Sequence, residues 1–184
     1  MCGFVAILNK KQVPVESETI KKMTGIVLHR GPDSEGFFLD KRVGLGFRRL
    51  SIIDLEKGGQ PLTNETGDVW IVFNGEIYNY RELRDWLEQK GHRFKTDTDT
   101  ETILHLYEET GFDCPRFLRG MFGFVIWDKR KDLLFGARDH FGIKPVYWTE
   151  TPRAFAFASE IKSLLELDGV PREVNPVAFP RYLT

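Results

Sequence analysis

The chain opens on the stretch Met1-Cys-Gly-Phe-Val-Ala-Ile-Leu8. Residues 3–8 are apolar, and a run of this length is typical of a buried strand. It is too short for the apolar region of a signal peptide, and no basic segment precedes it. The sequence therefore predicts a strand that begins almost at the amino terminus, with Cys2 directly before it.

Beyond this strand, the pattern predicts two groups of short strands with a group of helices between them. Asn74-Gly75 has the composition of a tight turn, and Ser17 is a plausible cap for the first helix. Further strands are expected at 36–39, 43–50, 69–73, 122–127, 133–137, 145–148 and 154–158, and helices at about 16–28, 80–89, 99–111, 116–118 and 161–167. Hairpin connections outnumber crossover helices, which predicts an α+β fold with mainly antiparallel sheets.

The composition excludes several classes of protein. The chain has 184 residues, enough for one compact domain, and its formal net charge of -1 gives no reason to expect nucleic acid as a partner. No apolar run approaches the ~20 residues that a membrane-spanning helix needs, so we expect no membrane partner and a cytoplasmic location. Two cysteines and four histidines without metal-ligand spacing predict neither a disulfide framework nor a metal site.

Cys2 is the first residue that could carry chemistry. If Met1 is removed, Cys2 has both a thiol and a free α-amine, and an α-amine is a base near neutral pH. An amino-terminal nucleophile can use its own amine as the general base, so no separate histidine is required. Taken alone, a cysteine at the second position is also consistent with chance, and a retained Met1 would block this chemistry.

Two further groups of residues have a chemical and a purely structural interpretation. The Asn74 amide and the Gly75 N–H could stabilise a developing oxyanion, or the pair could be an ordinary hairpin turn. Arg49 could hold the carboxylate of a free amino acid while Asp99 holds its ammonium group. Alternatively, these charges belong to the surface, and Asp99 caps a helix.

Several motifs occur together and in order along the chain. They are Met1-Cys-Gly3, His29-Arg-Gly-Pro-Asp33, Arg49-Leu-Ser-Ile-Ile-Asp54, Asn74-Gly-Glu-Ile-Tyr-Asn79, Gly120-Met-Phe-Gly-Phe124, Arg138-Asp-His-Phe-Gly-Ile-Lys-Pro145 and Ala158-Ser-Glu-Ile-Lys162. This set resembles the class II glutamine amidotransferases, which are amino-terminal-nucleophile hydrolases. Within that class it is most similar to the glutaminase domain of asparagine synthetases.

The resemblance implies a four-layer αββα sandwich and a role for each motif residue. Cys2 would attack the side-chain amide of L-glutamine, and Asn74 and Gly75 would form the oxyanion hole. Arg49 would bind the substrate carboxylate, and Asp99 with Glu76 would bind its ammonium group. The backbone of Leu50, Ile52 and Ile53 would line the pocket. Arg30 would lie near the nucleophile without contacting the substrate.

The resemblance also sets expectations for cofactors and partners. Residues 1–184 would form one glutaminase domain that needs no cofactor. In the family it is followed by a synthetase domain that uses ATP and Mg²⁺, and the glycine-rich phosphate loop of that domain does not occur in this sequence. A homodimer stays open. So do two alternatives: a catalytically silent module of the same fold, and an ammonia acceptor other than aspartate, as in the amino-sugar and purine pathways.

Overall fold

The computed structural model describes residues 1–50 and 58–183. Within those ranges the strands and helices follow the predicted alternation of two strand groups around a helical group. The strands are β1 (Gly3–Asn9), β2 (Ser34–Asp40), β3 (Val43–Arg49), β4 (Leu62–Thr63), β5 (Val69–Ile77), β6 (Gly120–Asp128), β7 (Leu133–Arg138), β8 (Tyr147–Glu150) and β9 (Ala154–Ala158). The helices are α1 (Ser17–Gly25), α2 (Tyr80–Gln89), α3 (Asp99–Thr110), α4 (Ile161–Leu164) and α5 (Phe179–Tyr182), with 3-10 turns at Leu28–Arg30 and Gly111–Phe117.

The described strands form two antiparallel sheets. The first has the order β2-β3-β1-β9-β8, and the second has the order β4-β5-β6-β7. In the first sheet Gly3 lies opposite Arg48, and in the second Asn74 lies opposite Gly123. The amino-terminal strand β1 is thus central, with a partner on each side, which accounts for its apolar sequence.

Alternation along the strands divides the apolar residues into three layers. On β1, Val5 and Ile7 pack under α1, while Phe4 and Ala6 face the second sheet. On β5, Val72 faces the first sheet, and the residues on either side of it pack against α2 and α3. Helices therefore cover the outer face of each sheet, and the expected four-layer αββα sandwich is confirmed.

The structure corrects two local predictions. Asn74-Gly75 is not a turn, because β5 continues through both residues to Ile77 and stays paired with β6. Ser17 is the first residue of α1, whose cap position is Glu16, and no side chain caps that helix end. The two-residue strand β4 was not predicted, since so short a segment has no readable period.

No helix in the two described ranges is both long and apolar enough to cross a membrane.

Candidate active site

Three strands bring polar residues to one end of the layer between the sheets. Side chains at alternate positions of a strand share a face. Cys2 continues the face of Phe4 and Ala6, Arg49 continues the face of Phe47, and Asn74 continues the face of Val72. The apolar packing between the sheets thus ends in a thiol, a guanidinium and an amide.

Cys2 lies in contact with the end of β3. Its Sγ is 3.4 Å from the backbone nitrogen of Leu50 and 3.7 Å from the Leu50 carbonyl oxygen. Cys2 is partly exposed, and Met1 before it is 58% exposed. The thiol is therefore accessible, and the peptide bond that carries Met1 lies at the surface.

Arg30 supports the backbone of the same residue. Its Nε donates a 2.9 Å hydrogen bond to the Cys2 carbonyl oxygen, and Nη1 donates to Glu160 at 3.2 Å. Glu160 also pairs with His29 at 2.7 Å, and hydrogen bonds from Lys162, His29 and Arg30 lower its pKa although burial acts to raise it. Arg30 thus connects the strand that begins after Cys2 to a fixed anion.

Asn74 presents a buried amide toward this site. The residue is 3% exposed, and its Nδ2 has no hydrogen-bond partner within the described ranges. An unpaired amide nitrogen away from water costs on the order of 1–3 kcal/mol. A donor kept at such a cost is consistent with a ligand that supplies the acceptor.

Gly75 provides a second donor at the same place. The Phe73 nitrogen donates to Gln60 Oε1 at 2.6 Å, and the Ile77 nitrogen donates to Asp99 Oδ2 at 2.9 Å. Alternate N–H groups along a strand point to the same edge, so the Gly75 N–H lies between these two, on the side away from β6. A side chain here would collide with β6, because a Cβ on Gly75 would lie 2.7 Å from Phe122 Cα.

Asp99 begins α3 and turns its carboxylate back to β5. Burial is the main cause that raises its pKa, to about 6, and the neighbouring Glu76 acts in the same direction. The hydrogen bonds from Ile77 and Thr100 oppose this shift. The structural alternative of a helix cap is not what is found, since the cap position is Thr98 and Asp99 binds the strand instead.

Glu101 fixes the loop that leads into Asp99. Its two carboxylate oxygens accept hydrogen bonds from the backbone nitrogens of Lys95 and Thr96, at 2.8 and 2.7 Å. Burial alone would raise the pKa of Glu101, but the nearby His105 ring and the hydrogen bonds from Thr96 and Lys95 lower it to about 2. The loop is therefore held by an ionised carboxylate at all physiological pH values.

A cavity of about 230 Å³ unites these groups. Its lining includes the predicted site residues Cys2, Arg49, Leu50, Asn74, Gly75, Glu76 and Asp99. Arg30 acts on Cys2 from outside it, and the predicted pocket residues Ile52 and Ile53 lie outside the described residues. A larger cavity of about 670 Å³ lies near α1 and contains none of the predicted residues, so volume alone does not mark the site.

Gln60 and Lys144 are among the lining residues that were not predicted as site residues. Gln60 accepts from Phe73 and donates to Thr100 at 3.3 Å, so it joins β5 to α3 at the wall of the cavity. Lys144 is 8% exposed, and its Nζ lies 3.7 Å from Met1 Sδ. Lys144 belongs to the Arg138–Pro145 motif, for which the sequence predicts no chemical role, while Gln60 belongs to none of the motifs.

Comparison with known proteins agrees with this geometry. The sequence matches the family model of the glutamine amidotransferase domain over residues 1–184. It is 51% identical over 187 residues to asparagine synthetase [glutamine-hydrolyzing] 1 of Bacillus subtilis (strain 168), covering 100% of this chain and 29% of that protein. It is 46% identical over 178 residues to asparagine synthetase [glutamine-hydrolyzing] 2 of the same organism, covering 95% of this chain and 24% of that protein.

Solved structures resemble the fold at lower sequence identity. A glutamine phosphoribosylpyrophosphate amidotransferase from B. subtilis superposes with a TM-score of 0.71 at 21% identity, covering 89% of this chain and 43% of that one. A second structure, the allosteric regulatory enzyme of purine biosynthesis, gives 0.73 at 20% identity and covers 90% and 43%. These likenesses establish that the chain shares the fold of these two proteins.

The chain belongs to the glutamine amidotransferase domain family, and the resemblance drawn from its motifs is confirmed. It spans less than a third of the length of the two B. subtilis asparagine synthetases it matches.

Proposed function

We propose that this domain hydrolyses the side-chain amide of L-glutamine to glutamate and ammonia, with Cys2 as the nucleophile. The observation that carries the proposal is the buried Asn74 amide, whose Nδ2 has no partner in the described part of the chain. It lines the same cavity as the Cys2 thiol. A thiol beside an unfilled hydrogen-bond donor is the arrangement that acyl transfer requires.

The first step needs a free amino terminus. With Met1 removed, the Cys2 α-amine takes the thiol proton, and the thiolate sulfur attacks the carboxamide carbon. The proton then passes from the amine to the leaving nitrogen, the C–N bond breaks, and ammonia departs. Water attacks the glutamyl thioester that remains, which releases glutamate and returns the proton to the thiol.

Asn74 and Gly75 serve the charged intermediate of both steps. Attack converts the carbonyl oxygen into an oxyanion, which accepts from Asn74 Nδ2 and from the Gly75 N–H. Both donors are fixed in β5 before the reaction begins, so no reorganisation is required when charge develops. The 3.4 Å contact between Cys2 Sγ and the Leu50 nitrogen holds the sulfur at the wall of the same cavity.

Charged groups at the wall of the cavity account for recognition of a free amino acid. The Arg49 guanidinium is 8% exposed and binds the substrate carboxylate. The Asp99 and Glu76 carboxylates bind the ammonium group. Leu50 completes the described part of the wall, and a role for the backbone of Ile52 and Ile53 stays a prediction. Arg30 positions Cys2 through its carbonyl group.

The ammonia acceptor belongs to a part of the protein beyond this domain. Because the similar proteins are asparagine synthetases, we propose that a synthetase domain follows and that it uses ATP and Mg²⁺ to amidate aspartate. The loop between β7 and β8 supports a docking face, since Phe141 is 91% exposed and Ile143 is 57% exposed. Asp139 makes this loop rigid by accepting from the nitrogens of Phe141, Ile143 and Lys144.

Smaller expectations complete the proposal. The glutaminase step uses no cofactor, because every group that it requires is a protein side chain, a backbone amide or the Cys2 α-amine. We infer a cytoplasmic location from the need for a reduced Cys2 thiol. The absence of nucleic-acid and membrane partners stays a prediction, and a homodimer stays open.

A glutamine assay of Asn74→Ala tests the proposal. Protein shown by mass to lack Met1 should release glutamate and ammonia in equal amounts. Asn74→Ala should lower kcat by roughly 10²–10³-fold, the usual cost of losing one oxyanion donor. The isosteric Asn74→Asp, which keeps the shape but lacks the donor, should be at least as slow.

Two outcomes would reject these assignments. A loss below threefold in Asn74→Ala would remove Asn74 from the mechanism. No glutamate from wild-type protein with a free Cys2 would favour the alternative that the domain is a silent module of the same fold.

A further inference from the structure

A cluster of four metal-ligating side chains lies on the outer helical layer, apart from the candidate active site. It consists of Glu65 between β4 and β5, His92 after α2, and His105 and Glu108 on α3. One ligand atom from each residue lies within 4.8 Å of the others. We call these four residues the His-Glu cluster.

The ring nitrogens face the carboxylates at distances close to those of a metal site. His105 Nδ1 is 3.0 Å from Glu108 Oε2 and 3.6 Å from Glu65 Oε2. His92 Nδ1 is 3.9 Å from both Glu65 and Glu108. A tetrahedral zinc ion with bonds of about 2.0–2.2 Å places its ligands roughly 3.3 Å apart. Only small side-chain rotations separate the cluster from that geometry.

A carboxylate lies on the far side of each histidine ring. His92 Nε2 is 3.2 Å from Glu109 Oε1, within hydrogen-bond distance. His105 Nε2 is 3.6 Å from Glu101 Oε1, beyond hydrogen-bond distance, and has no hydrogen-bond partner in the part of the chain that the structure describes. A carboxylate on the far ring nitrogen fixes ring orientation and leaves the near nitrogen as a ligand. In both rings the near nitrogen is Nδ1, and it faces the cluster.

The two carboxylate ligands are anchored in the same way. Glu65 Oε1 accepts from the Arg93 backbone nitrogen at 3.0 Å. Glu108 Oε1 accepts from Asn64 Nδ2 at 2.7 Å. In each residue the second oxygen is left to face the histidines. Glu65, Glu108 and His92 therefore each have one hydrogen-bonded atom and one atom directed at the cluster.

Charge favours a cation at the centre. The carboxylates of Glu65, Glu101, Glu108 and Glu109 surround the two imidazole rings. Within the described ranges, Arg130 forms an ion pair with one of these four carboxylates: its Nη2 is 3.7 Å from Glu108 Oε1. Either a bound divalent cation or a proton on His105 would balance the carboxylate charges. The two states can be told apart, because only the first predicts that the metal-free protein takes up a divalent cation.

We propose that the His-Glu cluster binds one zinc-type divalent ion through His92 Nδ1, His105 Nδ1, Glu65 and Glu108. Four protein ligands close the coordination sphere, so the ion would be structural and not catalytic. It would tie the loop after α2 to α3 and to the β4–β5 loop. The first of these loops continues to Asp97 and Thr98 in the wall of the cavity, so the ion would stiffen that wall.

Zinc titration of metal-free protein tests this proposal directly. The full chain in a Cys2→Ala background removes the accessible thiol as a competing zinc ligand. Calorimetric titration with zinc chloride should show one saturable site. Glu109→Gln, which changes only the partner behind His92, should weaken zinc binding by about 10–100-fold, and His92→Ala should weaken it at least as much. X-ray absorption should give nitrogen and oxygen ligands at about 2.0–2.2 Å.

The matched control is His140→Ala, which removes an exposed histidine outside the cluster and should leave zinc affinity unchanged. If His92→Ala fails to fold by circular dichroism, Glu109→Gln alone carries the comparison. No saturable zinc uptake by the Cys2→Ala protein would overturn the proposal and favour a protonated His105. Equal affinity in Glu109→Gln and the Cys2→Ala background would overturn it as well.

Discussion

At the scale of single residues, the candidate site depends on polar groups that are costly to keep in the free protein. The Asn74 amide is buried without a partner in the described ranges, and the Asp99 carboxylate is half-buried and close to Glu76. Bound glutamine would supply a hydrogen-bond acceptor to the Asn74 amide and an ammonium group to the Asp99 carboxylate. Polar groups left unfilled in this way are typical of a site that is organised before its ligand binds.

Asp99 predicts how glutamine affinity changes with pH. Its pKa is raised to about 6, so the carboxyl group is neutral below that value and attracts the substrate ammonium only above it. Glutamine affinity should therefore be constant above about pH 7 and should fall by up to roughly tenfold per pH unit below pH 6. Calorimetric binding to Cys2→Ala protein measures this without turnover.

The control for this titration is the double variant Cys2→Ala with Asp99→Asn. An amide does not ionise in this range, so its glutamine affinity should be weak and nearly independent of pH. If the glutamine affinity of the Cys2→Ala variant does not change between pH 5 and pH 8, then Asp99 does not bind the ammonium group.

Several site residues could be predicted from the sequence, and the limits of that prediction have physical causes. The motif containing Asn74 and Gly75 indicated the oxyanion hole, while its turn propensity indicated the wrong local structure. Pairing of β5 with β6 across nine residue pairs outweighs the local preference of an Asn-Gly pair. Gln60 and Lys144 were missed as cavity residues because only the folded chain brings them to the cavity.

At the scale of elements, the close approach of β5 and β6 positions the donors. The register places Gly75 opposite Phe122 and Asn74 opposite Gly123, so small residues lie on both strands where the amide faces the cavity. The helix α2 was predicted with the bounds that the structure has, because its apolar period and the glycine that follows it, Gly91, are local signals. The strand ends were less predictable, since they depend on partners distant in sequence.

Gly75→Ala tests this packing. A methyl group would lie 2.7 Å from Phe122 Cα and closer still to the Met121 carbonyl oxygen, so β5 must move away from β6. We expect a loss of about 1–3 kcal/mol in the free energy of unfolding and a large loss of kcat, because the oxyanion donors move with the strand. Urea denaturation and the glutaminase assay measure the two effects.

Gly25→Ala is the matched control. It adds the same methyl group at the end of α1, where nothing lies within 4 Å. The kcat should stay close to the wild-type value, and the free energy of unfolding should stay the same or increase slightly. Unchanged activity in Gly75→Ala would mean that the strand position does not set the donor geometry.

At the scale of the whole molecule, the residues proposed for glutamine hydrolysis belong to one sandwich. The cavity takes its walls from the two residues before β1, from β3 and β5, and from the start of α3. The His-Glu cluster could not be predicted from the sequence, because its four residues come from three separate segments. No spacing in the sequence indicates that His92 and Glu65 lie next to His105 and Glu108 on α3.

Independence from the synthetase reaction is the prediction at this scale. Glutamine hydrolysis by this chain should proceed without ATP, Mg²⁺ or aspartate, because none of them takes part in the thioester chemistry. Adding all three should leave kcat within about twofold of its value, and no asparagine should form. Cys2→Ala provides the zero-activity control. An absolute requirement for ATP would show that the site is completed by groups outside this domain.

The central claim is that Cys2, freed from Met1, is the nucleophile, and intact mass after reaction with an electrophilic glutamine analogue tests it most directly. The account predicts loss of one methionine, a single adduct located at Cys2, and complete loss of glutaminase activity. Cys2→Ala protein should take up no adduct and should unfold at nearly the wild-type temperature. An adduct at Cys114 or elsewhere, or full activity in protein that retains Met1, would contradict the account.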